Sequence, residues 1–135
     1  MNISLISIYI GGGLSLLMVV FHTQFSKIFN WQLDFKRVSN INRRIIYTIH
    51  IALYLLFIGF SFISFVNGVE LSKSIGLAFG INLIYSLLWL WRTIWQVVYL
   101  KPEKKNKFYS MHIILIVVFF LLFISYSLPI ILRFI

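Results

Sequence analysis

An all-α integral membrane fold, a bundle of four transmembrane helices with both chain ends outside, is predicted by three observations. Four long apolar stretches fill nearly all of the 135 residues, 61% of the residues are apolar against 11% charged, and the basic residues collect in two of the three loops. A soluble surface takes about a quarter of its residues charged, so this chain lacks the polar residues to clothe a core of its own apolar content.

The spans follow from length. Crossing a hydrocarbon core of about 30 Å takes roughly 20 mostly apolar residues, and stretches at about 3–21, 45–65, 75–100 and 109–131 qualify. The first lacks a basic leader and a small-residue cleavage site, which marks it as a retained helix rather than a secretory signal. Between Gln24 and Ser39 aromatics alternate with charges, the pattern of a short helix lying in the interface. Asn40 and Asn42 are candidate caps for the second span, and Asn67-Gly68 closes it. Pro102 lies just beyond the third span, and Pro129 is expected to kink or end the fourth. Trp31, Phe35, Tyr47, Tyr99, Phe108 and Tyr109 are placed as an interfacial aromatic belt. The whole chain, 1–135, reads as a single polytopic domain.

Counting Lys and Arg sets the orientation. Lys27, Lys36, Arg37, Arg43 and Arg44 flank the first loop and Lys101, Lys104, Lys105 and Lys107 the third, whereas the second holds only Lys73 beside Glu70 and the tail only Arg133. The positive-inside rule puts both basic loops in the cytosol. A net charge of +9 carried in such loops points to anionic lipid headgroups rather than nucleic acid. The compact size suits a bacterial plasma (cell inner) membrane. With no cysteine, disulfides, thiolate metal sites and haem attachment through sulfur are excluded.

Polar residues within the spans fall on stripes at spacings of three and four. The first span aligns Ser4, Gly11, Ser15, Met18 and His22. The second aligns Tyr47, His50, Tyr54, Ser61, Ser64 and Gly68, and the third Asn82, Tyr85, Trp89, Arg92, Gln96 and Tyr99. The fourth adds Tyr109, His112 and Tyr126. Four inward stripes make a polar-seamed bundle, with Arg92 turned to protein, to water, or along its own stem toward the cytosolic interface, because even lenient scales put about 2.5–3.5 kcal/mol on a mid-membrane Arg. Gly76 and Gly80 form a GxxxG pattern that is expected to pack the third span against the small surface of Gly11 and Ser15 on the first.

At about 1.5 Å per residue, His22, His50, His112 and Arg92 share the cytosolic half with Trp89 and Gln96. Three readings of this cluster compete. In the first, its members hydrogen-bond across helices and hold the bundle together, in a non-enzymatic protein that is a homo-oligomer or a subunit of a membrane complex. In the second, Arg92 and the imidazoles bind the head of an anionic amphiphile, with His22, Tyr54, Trp89 and Gln96 completing the wall. In the third, His50 and His112 ligate a b-type haem, or one of them serves a quinone, in an oxidoreductase subunit. Zinc catalysis and coupled proton transport are poorly supplied. No HExxH pairing is present, and Asp34, Glu70 and Glu103 all lie outside the spans.

Overall fold

The computed structural model describes residues 2–135, and among them every regular element is helical. In chain order these are α1 (Ile3–Thr23), α2 (Phe25–Ile28), α3 (Trp31–Asp34) with a 3-10 turn at Phe35–Arg37, α4 (Asn40–Val66), α5 (Gly68–Lys73), α6 (Leu77–Val98) and α7 (Tyr109–Arg133). Helices α1, α4, α6 and α7 are each long and apolar enough to cross a membrane, and α6 is the least apolar of them. They coincide with the four stretches expected from sequence to within about five residues at either end. One end of the bundle carries both chain termini and α5. The other carries the two basic loops.

Helix ends follow capping chemistry with some corrections. The Asn2 side chain accepts from Ser4 N (3.2 Å) and starts α1. The cap of α4 is Ser39, whose Oγ accepts from Asn42 N at 3.4 Å, so Asn40 and Asn42 lie in the first turn instead of capping it. Gly76 sits just before α6 at φ 56°, a conformation that favours glycine, and it ends the short turn from α5. The interfacial segment is not one helix but two single turns and a 3-10 turn, broken where Asn30 adopts φ 52°. Pro129 does not end α7, which continues to Arg133. Its ring is fully buried, and packed neighbours sustain a helix across the carbonyl that a proline leaves without a donor.

The packing order runs α4, α1, α7, α6, with α1 between α4 and α7 and with α7 between α1 and α6. The expected contact between the first and third spans is therefore overturned. The glycines of α1 face other partners. A Cβ on Gly11 would stand 2.9 Å from the Tyr126 ring of α7, and one on Gly12 2.9 Å from Ser64 Cβ of α4, whereas Gly76 and Gly80 have nothing within 4 Å. A thin middle helix brings both neighbours close, so the small residues that decide the packing are those of α1.

All five inward residues expected on α1 are buried. On α4 the stripe is buried at Ser61 and Ser64 and continues to the buried Gly68, but Tyr47 is exposed, with His50 and Tyr54 half-buried. On α6, Asn82, Tyr85, Trp89 and Gln96 are buried, while Tyr99 is exposed and stacks on Trp95 at 4.6 Å.

Candidate functional site

Helices α4 and α6 form no packed backbone interface, and large aromatic side chains span the gap between them. Phe60 meets Tyr85 at 3.8 Å between ring centroids. Below them the Trp89 indole lies between Phe57 of α4 and Phe119 of α7, at 5.6 and 5.7 Å and nearly parallel to both. This three-ring septum crosses the bundle and closes off its terminal end.

On the basic-loop side of the septum the gap opens into a cleft of about 520 Å³. Its walls come from α1, α4, α6 and α7, and its base from Phe25, Phe29, Trp31, Pro102 and Phe108. Phe29 bridges the base, at 4.5 Å from Phe25 and 5.2 Å from Phe108. The rim includes Ile49 of α4 and Trp91 of α6, each 56% exposed on the outer face of the bundle. The cleft thus opens sideways between two helices, above an aromatic floor.

Six of the seven candidate site residues line this cleft: His22, His50, Trp89, Arg92, Gln96 and His112. Tyr54 stands behind the wall, where its hydroxyl donates to the His22 carbonyl at 2.7 Å. The same carbonyl accepts from His50 Nε2 at 3.1 Å, and His22 Nδ1 donates to Met18 O at 2.8 Å. The imidazoles of His22 and His50 lie 5.5 Å apart, within a ring cluster that includes Phe25 and Trp31. His112 is held across the cleft, its Nδ1 sharing a hydrogen bond with the Gln96 side-chain amide at 2.9 Å.

The histidines fall into two groups. His22 and His50 meet each other, while His112 is tied to Gln96. A haem iron takes one ring nitrogen of each axial imidazole, and His50 Nδ1 and His112 Nε2 remain available for such a bond while the other nitrogen of each is engaged with a protein partner. Among the described residues no group of three or more His, Cys, Asp or Glu side chains is disposed to hold a metal ion.

The α6 wall has the opposite character. Five buried side-chain polar atoms lack a hydrogen-bond partner among the described residues, and all five lie on α6: Asn82 Oδ1, Ser86 Oγ, Trp89 Nε1, Arg92 Nη1 and Gln96 Oε1. Trp89, Arg92 and Gln96 line the cleft as residues, but these three atoms have no accessible surface of their own. The Arg92 guanidinium lies 4.6 Å over the Phe119 ring, a cation–π contact. The one ion pair among the described residues joins Lys73 to Glu70 in α5. Arg92 is left without a carboxylate.

Sequence reasoning found the polar members of the site and Trp89, and missed the phenylalanines, above all Phe57 and Phe119. Both are embedded in uniformly apolar runs. For Phe119 a signal exists in the spacing, because His112, Leu115, Phe119, Leu122 and Tyr126 recur every three or four residues and are the buried face of α7.

Fold and cleft together define the class: a small all-helical protein, suited by its four apolar helices to a membrane, with a laterally open aromatic cleft holding an unpaired arginine. No family model, no curated protein and no solved structure matches the chain.

Proposed function

We propose that this protein is a non-enzymatic, multi-pass protein of a cytoplasmic membrane that takes an anionic amphiphile from the cytosolic leaflet into the cleft between α4 and α6. The observation that carries this reading is Arg92, a permanent cation in an apolar cavity with no carboxylate beside it. Uncompensated charge in such a place is costly, and the charge of an anionic head would offset it. The aromatic walls suit an alkyl chain, and the sideways opening lets that chain remain partly among the lipids. Basic loops on either side of the mouth would concentrate anionic lipid there.

Orientation is part of the proposal. The chain has no native cysteine, so single cysteines report sidedness cleanly. Asn106→Cys is expected to react with a membrane-impermeant thiol reagent only after cells are opened, and labelling of intact cells would place the cleft in the opposite leaflet.

The test of binding is mass spectrometry of lipids retained by the detergent-purified protein, with Arg92→Gln alongside. The wild type is expected to retain an anionic amphiphile, and the variant to fold and lose it by about tenfold or more, the effect of one charge-assisted hydrogen bond. Equal retention by the two proteins would remove the reading. So would a visible absorption band that shifts on dithionite reduction, which would put haem in the cleft.

A further inference from the structure

The amphiphile reading leaves open what meets the head on the wall opposite α6, where the ring nitrogens of His22 and His50 stand. A backbone carbonyl can only accept a hydrogen bond. His22 Nδ1 bonds to Met18 O at 2.8 Å and His50 Nε2 to His22 O at 3.1 Å, so each of these two nitrogens carries a proton. In a neutral imidazole the second nitrogen is then a bare acceptor. Those acceptors are His22 Nε2 and His50 Nδ1, and neither is among the polar atoms enclosed without a partner. Both residues line the cleft, and their rings lie 5.5 Å apart.

The cleft therefore sets one cation against two lone pairs. Arg92 Nη1 is enclosed, but Nε and Nη2 are not among the enclosed atoms, so they can reach an anionic head. His22 is within electrostatic reach of both His50 and Arg92. The other titratable side chains here are Tyr54 of α4, turned to the His22 carbonyl, and His112 of α7, across the cleft. From the base, α2 and α3 turn Phe25 and Trp31 to the pair, while Lys27 and Asp34 are exposed. No carboxylate lines the cleft. Without an anion, a proton on either imidazole adds a second positive charge near Arg92 with nothing to balance it. An anionic head reverses the sign, because neutral rings turn lone pairs toward its oxygens whereas a protonated ring donates to them.

Resting on the amphiphile reading, we infer that the cleft takes its anionic head together with one proton, which the pair of His22 and His50 holds. The head lies between Arg92 and the pair, accepting from the guanidinium on one side and from an imidazolium N–H on the other. Only one ring is charged at a time, since two cations at this separation oppose each other. Each ring keeps its bond to a carbonyl in either state, so the proton is taken up without repacking. By linkage, the proton raises affinity for the anion by the factor that the anion raises affinity for the proton.

Hexadecyl sulfate is the probe, because a sulfate ester keeps one negative charge near neutral pH and any proton taken up lands on the protein. It is titrated calorimetrically into the full-length protein in non-ionic micelles, in two buffers of different ionisation enthalpy. The difference in heat counts the protons bound with each anion. At about pH 7.5, above the ordinary imidazole value, uptake of about half a proton or more is expected. Affinity is expected to rise about tenfold or more from about pH 8 to about pH 6, the range over which an imidazole takes up its proton. The double variant His22→Gln, His50→Gln is expected to bind without uptake and with a flat pH profile. If it fails to fold, His112→Gln decides: uptake retained there supports the inference, and uptake lost there puts the proton on His112 and overturns it.

Uptake that persists in the folded double variant would overturn the inference as well. Zero uptake and a flat profile in the wild type, with binding that still drops in Arg92→Gln, would overturn it and leave the amphiphile reading standing. Failure of the wild type to bind hexadecyl sulfate even at the acid end of the range would overturn both.

Discussion

The two ends of the bundle bury polar groups differently, although Asn82 Oδ1 and Ser86 Oγ lack a partner outside the cleft as well. Toward the chain termini, α1 packs closely on α4 and α7 over Gly11 and Gly12, and four buried serines turn their hydroxyls back on their own helices. Ser7, Ser15, Ser64 and Ser125 donate to carbonyls three or four residues earlier at 2.7 to 2.8 Å. Between helices Tyr126 and Ser64 share a bond at 2.8 Å, and Asn82 Nδ2 donates to Leu71 O at 2.8 Å, tying α6 to α5. Toward the basic loops, rings hold α4 and α6 apart, and Trp89, Arg92 and Gln96 keep unpartnered atoms. Small side chains that satisfy themselves allow close helix packing. Large side chains with polar tips instead leave a cavity and unmet hydrogen bonds. The first region reads as structure and the second as a place for a ligand.

The sharpest way to break this comparison is to overfill the close-packed end. Gly11→Leu would drive a side chain into Tyr126 and Ser125, and overpacking of this kind costs about 1–3 kcal/mol. Gly13→Leu, with nothing within 4 Å of its Cβ, is the matched control and is expected to leave stability unchanged or slightly raised, since leucine is the better helix former. Equal destabilisation in a detergent unfolding titration would show that α1 is not the tightly packed middle helix.

The next effect, in the open half, should run the other way. Arg92→Gln, the variant expected to lose the amphiphile, is expected to unfold no more easily than the ligand-free wild type, because removing an unpaired buried charge lifts a burden. A clear loss of stability without ligand would make Arg92 a structural tie and erase the contrast between the two ends.

The smallest effect tests the close-packed end. Tyr126→Phe removes the bond to Ser64 and keeps the ring against Tyr85, 5.0 Å away. It is expected to cost about 0.6 kcal/mol, and up to about 1.7, the range measured for hydrogen bonds inside membrane bundles. A neutral result would assign the cohesion of that end to packing alone.

Much of the candidate site was legible in the sequence because it rests on two regularities that need no partner. An Arg, a Gln and a Trp recurring at three and four residues must share a face of a helix, and a charged group in an apolar span must turn from lipid, so Trp89, Arg92 and Gln96 group together on spacing and polarity alone. Pairing between helices was not legible. The choice of His22 over His112 as the neighbour of His50 depends on α1 lying next to α4, and on α6 lying next to α7, which no local pattern states. The GxxxG at Gly76 and Gly80 misled for the same reason: a small surface permits close approach without naming the helix that makes it.

By itself the sequence determined the four apolar helices, the segregation of basic residues to one end and the inward faces of the helices, since length, charge and the 3.6-residue turn are properties of each segment alone. Only the tertiary structure decided that α1 separates α4 from α7, that Phe57, Trp89 and Phe119 stack into a septum, and that a cleft opens between α4 and α6. Those outcomes depend on how side-chain volumes from different helices meet, and volume matching is a property of the assembled bundle.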